Sequence, residues 1–170
     1  KHNLDVIGQV NVARAGWQSL FDRASLAGWV SSNFFGRSEV LVEHGHLVIQ
    51  KGNNMTGITW APTGAVKELP RVDYELTLQA QRMVGRDFFC GLTFPVQKDP
   101  CTLILGGWGG TTVGLSSLDS ADASMNETSQ SIAFENQTWY RIRLRVTQKK
   151  IEVWLDEKSI IAVETEGRRL

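Results

Sequence analysis

The sequence predicts an all-β protein built from two packed antiparallel sheets, and three observations support this prediction. Apolar and polar residues alternate in several short segments, as in strands that have one face in water. Clusters of Gly, Pro and Asn separate these segments and mark turns. No segment of ten residues keeps a helical apolar period, and no internal repeat is present. Short strands of this kind bury their apolar faces by packing one sheet against another.

Length and charge exclude several classes of protein. A chain of 170 residues fits one domain, and we place the sandwich at 17–165, after a lead-in segment at 1–16 and before a tail at 166–170. Eighteen basic and eighteen acidic residues balance, so no net charge recruits nucleic acid or an anionic membrane. No apolar run approaches the length of a membrane-spanning helix. The first ten residues lack the apolar core of a signal peptide, although a signal removed upstream is compatible with the sequence.

The first part of the chain predicts edge segments and one hairpin. Trp17–Trp29 contains turn residues and no helical period, so we expect it to wrap the edge of the sandwich. Val40–Gln50 alternates about Gly45 and predicts a hairpin in which the valines face Leu47 and Ile49. Ile58–Trp60 lies between Gly- and Pro-containing segments and predicts a short strand.

The middle of the chain contains one regular strand and one long loop. Val72–Gln81 alternates over ten residues, which predicts a strand with a wet face. Ser116–Gln130 is poor in apolar residues and has no period, so we expect a surface loop. Loops of this length in compact domains are often functional.

The last hairpin is predicted between Tyr140 and Leu155, with its turn at Lys149 and Lys150. In that register Arg145 lies opposite Trp154, and Arg143 lies opposite Asp156. These pairs predict a cation–π contact and an exposed ion pair, each contributing up to about 1 kcal/mol.

We expect the rest of the chain to be organised around Arg86–Leu115, which holds both cysteines and six of the sixteen glycines. Two alternating strands flank the turn-forming sequence PVQKDP, with the hairpin centred near Pro95 and Val96. One face is predicted to join the core through Phe88, Cys90, Leu92, Phe94, Cys101, Leu103 and Leu105. The other face is small and semi-polar, and consists of Phe89, Gly91, Thr93, Thr102, Ile104 and Gly106.

The two cysteines fall opposite each other in this register. Cross-strand Cβ atoms come within about 4.5–5.5 Å, so a disulfide between Cys90 and Cys101 is geometrically feasible. A disulfide would suit an exported protein. The alternative is a pair of buried free thiols that behave as small apolar side chains.

Trp108 is flanked by two glycines on each side, in the sequence GGWGG. Glycines here leave room for a ligand to approach the backbone and to lie on the indole ring. The alternative is that they ease a bend or a bulge in the strand.

Three segments, taken together, resemble the 3-keto-disaccharide hydrolase domain family. WQSLFDRASLAGW, from Trp17, is similar to the opening W-x-x-L-F-(D/N)-G-x-x-L-x-G-W of that family. VEHGHLVI resembles its V-x-D-G-x-L turn, and DYELTLQAQ resembles its (D/E)-(F/Y)-x-L strand. The closing hairpin is similar to the last hairpin of concanavalin A-like sandwiches. The resemblance spans Trp17 to Ile161 and implies a concanavalin A-like jelly roll, a carbohydrate partner and a secreted, periplasmic or cell-envelope location.

Two strands depart from the family pattern. Where many members have N-S-G-(I/V)-x-x-R, this chain keeps Gly91 but has Pro95 at the position of the arginine. The acidic strand E-x-Q-(I/L)-x-D is replaced by LILGGW, which starts at Leu103. The chain therefore resembles a divergent branch of the family.

Catalysis on a glycoside requires paired carboxylates, and the predicted pair is Asp87 and Glu127. Their spacing marks no pair, so solvated loop carboxylates are the alternative. Asp119 and Asp122 offer hard oxygen ligands to calcium or another divalent metal, although the loop lacks an EF-hand spacing.

Aromatic side chains and neighbouring polar groups predict a surface that binds sugar rings. Its predicted members are Trp108, Phe89, Trp60, Arg86, Asn126 and Thr128. The resemblance implies a glycoside hydrolase that acts on 3-keto-glycosides. The alternatives are a non-catalytic lectin-like module and a structural interaction domain of a larger protein.

Overall fold

The computed structural model describes residues 5–12, 16–63 and 67–170, with residues 5–12 described by their backbone alone. Its strands pair antiparallel throughout the described chain, as the alternation predicted. The strands are β1 (Asp5–Val12), β2 (Gly16–Ser19), β3 (Trp29–Ser31), β4 (Val40–Glu43), β5 (His46–Ile49), β6 (Ile58–Trp60), β7 (Tyr74–Gln81), β8 (Cys90–Val96), β9 (Asp99–Gly106), β10 (Thr112–Ser116), β11 (Gln130–Ser131), β12 (Trp139–Val146), β13 (Lys150–Leu155) and β14 (Lys158–Glu164). A short helical turn, α1 (Gly107–Gly110), joins β9 to β10.

The strands form two main sheets and one separate pair. The large sheet has the order β14-β13-β12-β7-β1-β5-β4, and β2 also pairs with β1. The four-stranded sheet has the order β11-β10-β9-β8. Strands β3 and β6 pair with each other. No helix among the described residues is long and apolar enough to cross a membrane.

The core lies between the large sheet and the four-stranded sheet. The large sheet contributes fully buried side chains that include Ile142, Leu144, Val146, Ile151 and Val153. The four-stranded sheet contributes Leu103, Leu105, Val113 and Leu115, also without solvent exposure. Each such side chain stabilises the fold by about 1.5–3 kcal/mol relative to an exposed position. The predicted two-sheet sandwich is therefore confirmed.

The hairpin of β4 and β5 has the predicted register, with Val42 opposite Leu47. The structure adds contacts for both segments that flank the predicted domain. The lead-in contains β1, which pairs with β7 inside the large sheet. The tail is part of the domain, because Leu170 packs against the core and Arg169 donates its N–H to Asp119. Strand β14 extends the last hairpin and was not predicted.

Both long hairpins turn at positions other than those predicted. Val96 pairs with Asp99, so the hairpin of β8 and β9 turns at Gln97 and Lys98. Pro95 and Pro100 lie opposite each other within the strands. The last hairpin pairs Val146 with Ile151, which shifts the register by two residues. A two-residue shift keeps every side chain on its predicted face, so the buried faces are as predicted.

The new register excludes a disulfide between the two cysteines. Cys90 lies opposite Leu105 and Cys101 lies opposite Phe94, so the cysteines are four residues apart along the ladder. This offset is about 13 Å at 3.3 Å per residue, whereas a disulfide needs Cα atoms within about 7 Å. Both are buried free thiols, and burial raises the pKa of Cys90 to about 12 and that of Cys101 to about 11. Without a disulfide, the cysteines no longer support export of the protein, so its exported location stays a prediction.

Candidate functional site

The outer face of the four-stranded sheet carries a continuous strip of small, hydroxyl and aromatic residues. We call it the outer strip and define it as Phe88, Gly91, Thr93, Thr102, Ile104 and Trp108. Its strand residues point away from the core because their neighbours Cys90, Phe94, Cys101, Leu103 and Leu105 are buried. The predicted semi-polar face is thus confirmed for Gly91, Thr93, Thr102 and Ile104, whereas Gly106, the last residue of β9, is buried against Phe89 and Phe134, so its predicted place on this face is wrong.

Phe88 and Ile104 form the apolar part of the outer strip. A Cβ atom built on Gly91 would lie 3.6 Å from Phe88 Cε2 and 3.9 Å from Ile104 Cδ1, so both side chains lean over this glycine. Phe88 is 43% exposed. The prediction that Phe88 belongs to the core is wrong, because β8 begins only at Cys90 and the alternation does not extend before it.

Thr93 and Thr102 form the hydroxyl part of the outer strip. They lie opposite each other on β8 and β9, and their Oγ1 atoms are 2.8 Å apart in a hydrogen bond. One hydroxyl of this pair donates to the other, which leaves acceptor lone pairs and one proton for a ligand. A sugar hydroxyl is both a donor and an acceptor and matches such a pair.

Trp108 lies at the end of the strip in a left-handed turn. Its backbone has φ 47° and ψ 53°, and its side chain is 55% exposed. Non-glycine residues rarely adopt this conformation, so the flanking glycines and the bridge from Gly107 to Thr112 must hold it in place. An indole held in water by a strained turn is available to contact a ligand.

The loop from 117 to 129 forms a wall beside the strip. Gly114 of β10 is covered by this loop, since a Cβ atom there would lie 2.6 Å from the Ala123 carbonyl oxygen. Asn126 Nδ2 donates to the carbonyl oxygens of Leu115, Ala121 and Asp122, and Asn126 Oδ1 accepts from Thr128. Buried Thr128 Oγ1 accepts from the N–H of Leu115.

These hydrogen bonds correct the prediction that Asn126 and Thr128 bind a substrate. Their polar atoms hold the loop onto β10, so their role is structural. The surface-loop prediction itself is confirmed. The Asx-type contact between Asn126 and Thr128 is the local signal for this role.

The segment before β8 packs against the Trp108 turn. A Cβ atom on Gly110 would lie 2.1 Å from the Arg86 carbonyl oxygen, which places the Arg86 backbone directly on this turn. The Arg86 side chain is exposed beside it, as predicted for a binding residue. Asp87 Oδ1 accepts the N–H of Phe88 at 2.8 Å, so this carboxylate is hydrogen-bonded to the backbone of the next residue.

Phe89 and Trp60 do not join the outer strip. Phe89 is buried, with ring centroids 5.0 Å from Phe134 and 5.8 Å from Tyr140, so its predicted role in binding is wrong. Trp60 is half-buried in the separate pair of β3 and β6, opposite Trp29. Of the predicted binding residues, Trp108 lies in the outer strip and Arg86 lies exposed beside the Trp108 turn.

The predicted carboxylates of the loop bind arginines of the tail. Arg168 Nε lies 2.5 Å from Asp119 Oδ2, and Arg168 Nη2 lies 2.5 Å from Glu127 Oε1. Arg169 N–H donates to Asp119 Oδ1 at 2.8 Å. We call Asp119, Glu127, Arg168 and Arg169 the C-terminal clamp.

The clamp already binds two of the carboxylates, Asp119 and Glu127, that the sequence predicts as a metal ligand and a catalytic group. Glu127 is neutralised by Arg168, and Asp87 is a local cap, so the two have unrelated roles. Asp122 Oδ1 accepts from the N–H and the hydroxyl of Ser124. Because a guanidinium already joins Asp119 to Glu127, these ligands do not fit calcium. Within the described residues no group of three or more His, Cys, Asp or Glu side chains could hold a metal ion.

The clamp predicts a defined acid response. The pKa of Asp119 lies below its ordinary 3.8, first because Arg169 N–H donates to it and then because of Arg168. A depressed folded pKa means that the clamp is complete above the unfolded pKa and is lost as the pH falls through the folded value. In a ¹³C-carboxyl NMR titration, we expect Asp119 to titrate below 3.8 and Arg168→Gln to raise its pKa only part of the way. Asp122, whose pKa is lowered by Ser124, serves as the control; an unchanged Asp119 pKa in the variant would contradict the clamp.

Comparison with known proteins assigns the chain to a family. The model of the 3-keto-alpha-glucoside-1,2-lyase-like domain matches residues 16–169, which is nearly the whole chain. This is the 3-keto-disaccharide hydrolase family that the motifs resemble. Neither the comparison with curated proteins nor the comparison with solved structures gave a match. A carbohydrate-active, concanavalin A-like sandwich agrees with the two sheets and with the outer strip. The chain therefore belongs to the 3-keto-alpha-glucoside-1,2-lyase-like domain family.

Proposed function

We propose that this domain binds a carbohydrate on the outer strip and does not cleave it. The observation that carries the proposal is the chemistry of the strip itself. It combines an exposed indole, a partly exposed phenylalanine and a threonine pair, and none of its six residues titrates. Sugar rings bind through stacking on aromatic faces and through hydrogen bonds to hydroxyl groups.

The second candidate is a lyase or hydrolase that acts on a 3-keto-glucoside, and the family match favours it. General acid–base chemistry requires a titratable group within hydrogen-bond reach of the scissile bond. Asp87 is the acidic residue nearest in sequence to Phe88, and its Oδ1 atom already accepts a backbone N–H. A catalytic site needs a titratable group, and the strip has none. We base the proposal of binding without cleavage on this difference.

Replacement of Trp108 by Ala is expected to weaken sugar binding by about tenfold, because the stacking surface is lost. The measurement is isothermal calorimetry with a panel of neutral oligosaccharides that includes 3-keto-glucosides, while chromatography follows any product. Phe35→Ala is the matched control, since Phe35 is 89% exposed on the loop between β3 and β4. Equal affinity of Trp108→Ala and the wild type would contradict the proposed surface.

Product formation would decide between the two candidates. If the wild type releases product, Asp87→Asn and Glu127→Gln test the two predicted catalytic residues. Loss of turnover in Asp87→Asn with unchanged affinity would establish the enzyme and overturn the proposal. Binding without product in the wild type would support it.

A further inference from the structure

Strand β12 presents three arginines on the outer face of the large sheet. Arg141, Arg143 and Arg145 point outward because the residues between them, Ile142 and Leu144, are fully buried in the core. This face is opposite to the one that carries the outer strip, since the core separates the two sheets. It is therefore a second surface with its own chemistry.

Two of these arginines are bound to carboxylates. Arg145 Nη2 lies 2.5 Å from Glu75 Oε1, and Arg145 Nη1 lies 4.0 Å from Glu152. Arg141 Nη1 lies 3.4 Å from Glu157 Oε1 in an exposed pair. Each of these carboxylates neutralises the charge of the arginine that it binds, so the ion pairs add little net charge to this face.

Arg143 differs because none of the carboxylates in the described residues forms an ion pair with it. Its guanidinium carbon lies 4.0 Å from the centroid of the Trp154 ring, on the neighbouring strand β13. This cation–π contact restrains the guanidinium over the indole, and a guanidinium bound in this way keeps N–H donors for a ligand. Arg143 is thus a preorganised hydrogen-bonding fork.

A cavity of about 280 Å³ opens at this fork. It is lined by Arg141, Arg143, Trp154 and Glu157. A cavity slightly below the usual size of a ligand pocket can hold one small group and not a long chain. The neighbouring carboxylates of Glu75, Glu152 and Glu157 are already paired with Arg145, Lys150 and Arg141, so they leave Arg143 to face an anion in this cavity.

We propose that Arg143 binds the single anionic group, a carboxylate or a sulfate, of an acidic sugar residue. A carboxylate and a sulfate each present two oxygen atoms on one centre, which can accept two parallel N–H donors from one guanidinium. The assignment of the anion to a sugar rests on the proposed carbohydrate function, whereas the anion-binding geometry rests on Arg143 and Trp154 alone. The domain then has a neutral-sugar surface on one sheet and an acidic-sugar site on the other.

The test compares three trisaccharides by calorimetry: a neutral glucose trisaccharide, its glucuronate-terminated analogue and its sulfated analogue. We expect the wild type to bind at least one acidic form about tenfold more tightly than the neutral form, through a charge-assisted pair. Arg143→Gln is expected to remove this preference. Arg143→Lys is expected to remove most of it, because lysine keeps the charge but has no planar fork. Lys98→Gln, the same charge change at the turn of β8 and β9, is the control and keeps the preference.

The outcomes separate this inference from the proposed function. An acidic preference that survives in Arg143→Gln, or a wild type without any preference, overturns the Arg143 site. Neutral-sugar binding that survives in Trp108→Ala overturns the outer strip and leaves the Arg143 result standing. If the wild type binds an acidic peptide as tightly as the acidic trisaccharides, the assignment of the anion to a sugar is overturned. Thermal unfolding of both Arg143 variants at the wild-type temperature excludes misfolding as the cause.

Discussion

Replacement of Arg82 by Met is expected to lower the free energy of unfolding by about 3 kcal/mol, the loss associated with breaking charge-assisted hydrogen bonds in the interior. Arg82 is 6% exposed at the end of β7. Its three donor groups reach Asn136 Oδ1 at 2.7 Å, the Asp87 carbonyl at 2.9 Å and the Phe134 carbonyl at 2.7 Å. The guanidinium also lies 5.8 Å from the Phe89 ring centroid. Arg82 therefore links three segments: the end of β7, the segment at Asp87 and the segment that contains Phe134 and Asn136.

Urea unfolding measures this effect, and an unchanged m value would assign it to the folded state. Arg82→Lys is expected to lose most of the same stability, because one ammonium group cannot reach three diverging acceptors. Arg86→Met is the control, since Arg86 is exposed and is expected to change stability by less than about 0.5 kcal/mol. A loss below about 1 kcal/mol in Arg82→Met would show that the three segments dock without it.

Replacement of Gly110 by Ala is expected to cost at least about 3 kcal/mol, through left-handed backbone strain and a steric clash. Gly110 has φ +113°, and its added Cβ atom would lie 2.1 Å from the Arg86 carbonyl oxygen. That contact involves two backbones, so no flexible side chain can relieve it. The Trp108 turn and the segment before β8 must therefore separate.

Gly109→Ala is the matched control for this prediction. Gly109 has φ +91°, and its added Cβ atom would meet nothing within 4 Å. It carries the backbone strain without the clash, so we expect it to cost only about 1–2 kcal/mol. Equal losses in the two variants, measured by urea unfolding, would contradict the close packing of Arg86 on the turn.

The faces of the strands could be predicted from the sequence, whereas the turns could not. Alternation has a period of two, so a register error of two residues leaves Leu144 and Val153 buried and Arg143 outside. The predicted turn of β8 and β9 is wrong because Pro95 and Pro100, which favour turns, pair with each other inside the strands. Its real turn uses Gln97 at φ 51°, and glutamine gives no sequence signal for a left-handed conformation.

Part of the candidate site could also be predicted, because its strand residues follow the same alternation. Thr93, Thr102 and Ile104 followed from alternation, and Trp108 followed from its glycines. Phe88 and Phe89 exchanged places, because they precede the first residue of β8 and obey loop geometry.

Contacts between residues that lie far apart in the chain could not be predicted from the sequence. Arg168 binds Asp119 and Glu127, which lie 49 and 41 residues earlier in the chain. No local pattern marks such a pair, so the sequence alone favours metal or catalytic roles for these carboxylates. The stack of Arg143 on Trp154 was predicted in kind, but the register assigned it to Arg145. Arg145 is the more distant of the two, at 5.5 Å from the ring centroid.

The most direct test of the account is a ¹H–¹⁵N NMR titration of the wild type with the tightest-binding neutral oligosaccharide. We expect the largest shifts at the Trp108 indole N–H and at the backbone amides of Gly91, Thr93 and Thr102, with the sugar recovered unchanged. Shifts confined to other surfaces, or conversion of the sugar during the titration, would contradict a binding surface on the outer strip that does not cleave its ligand.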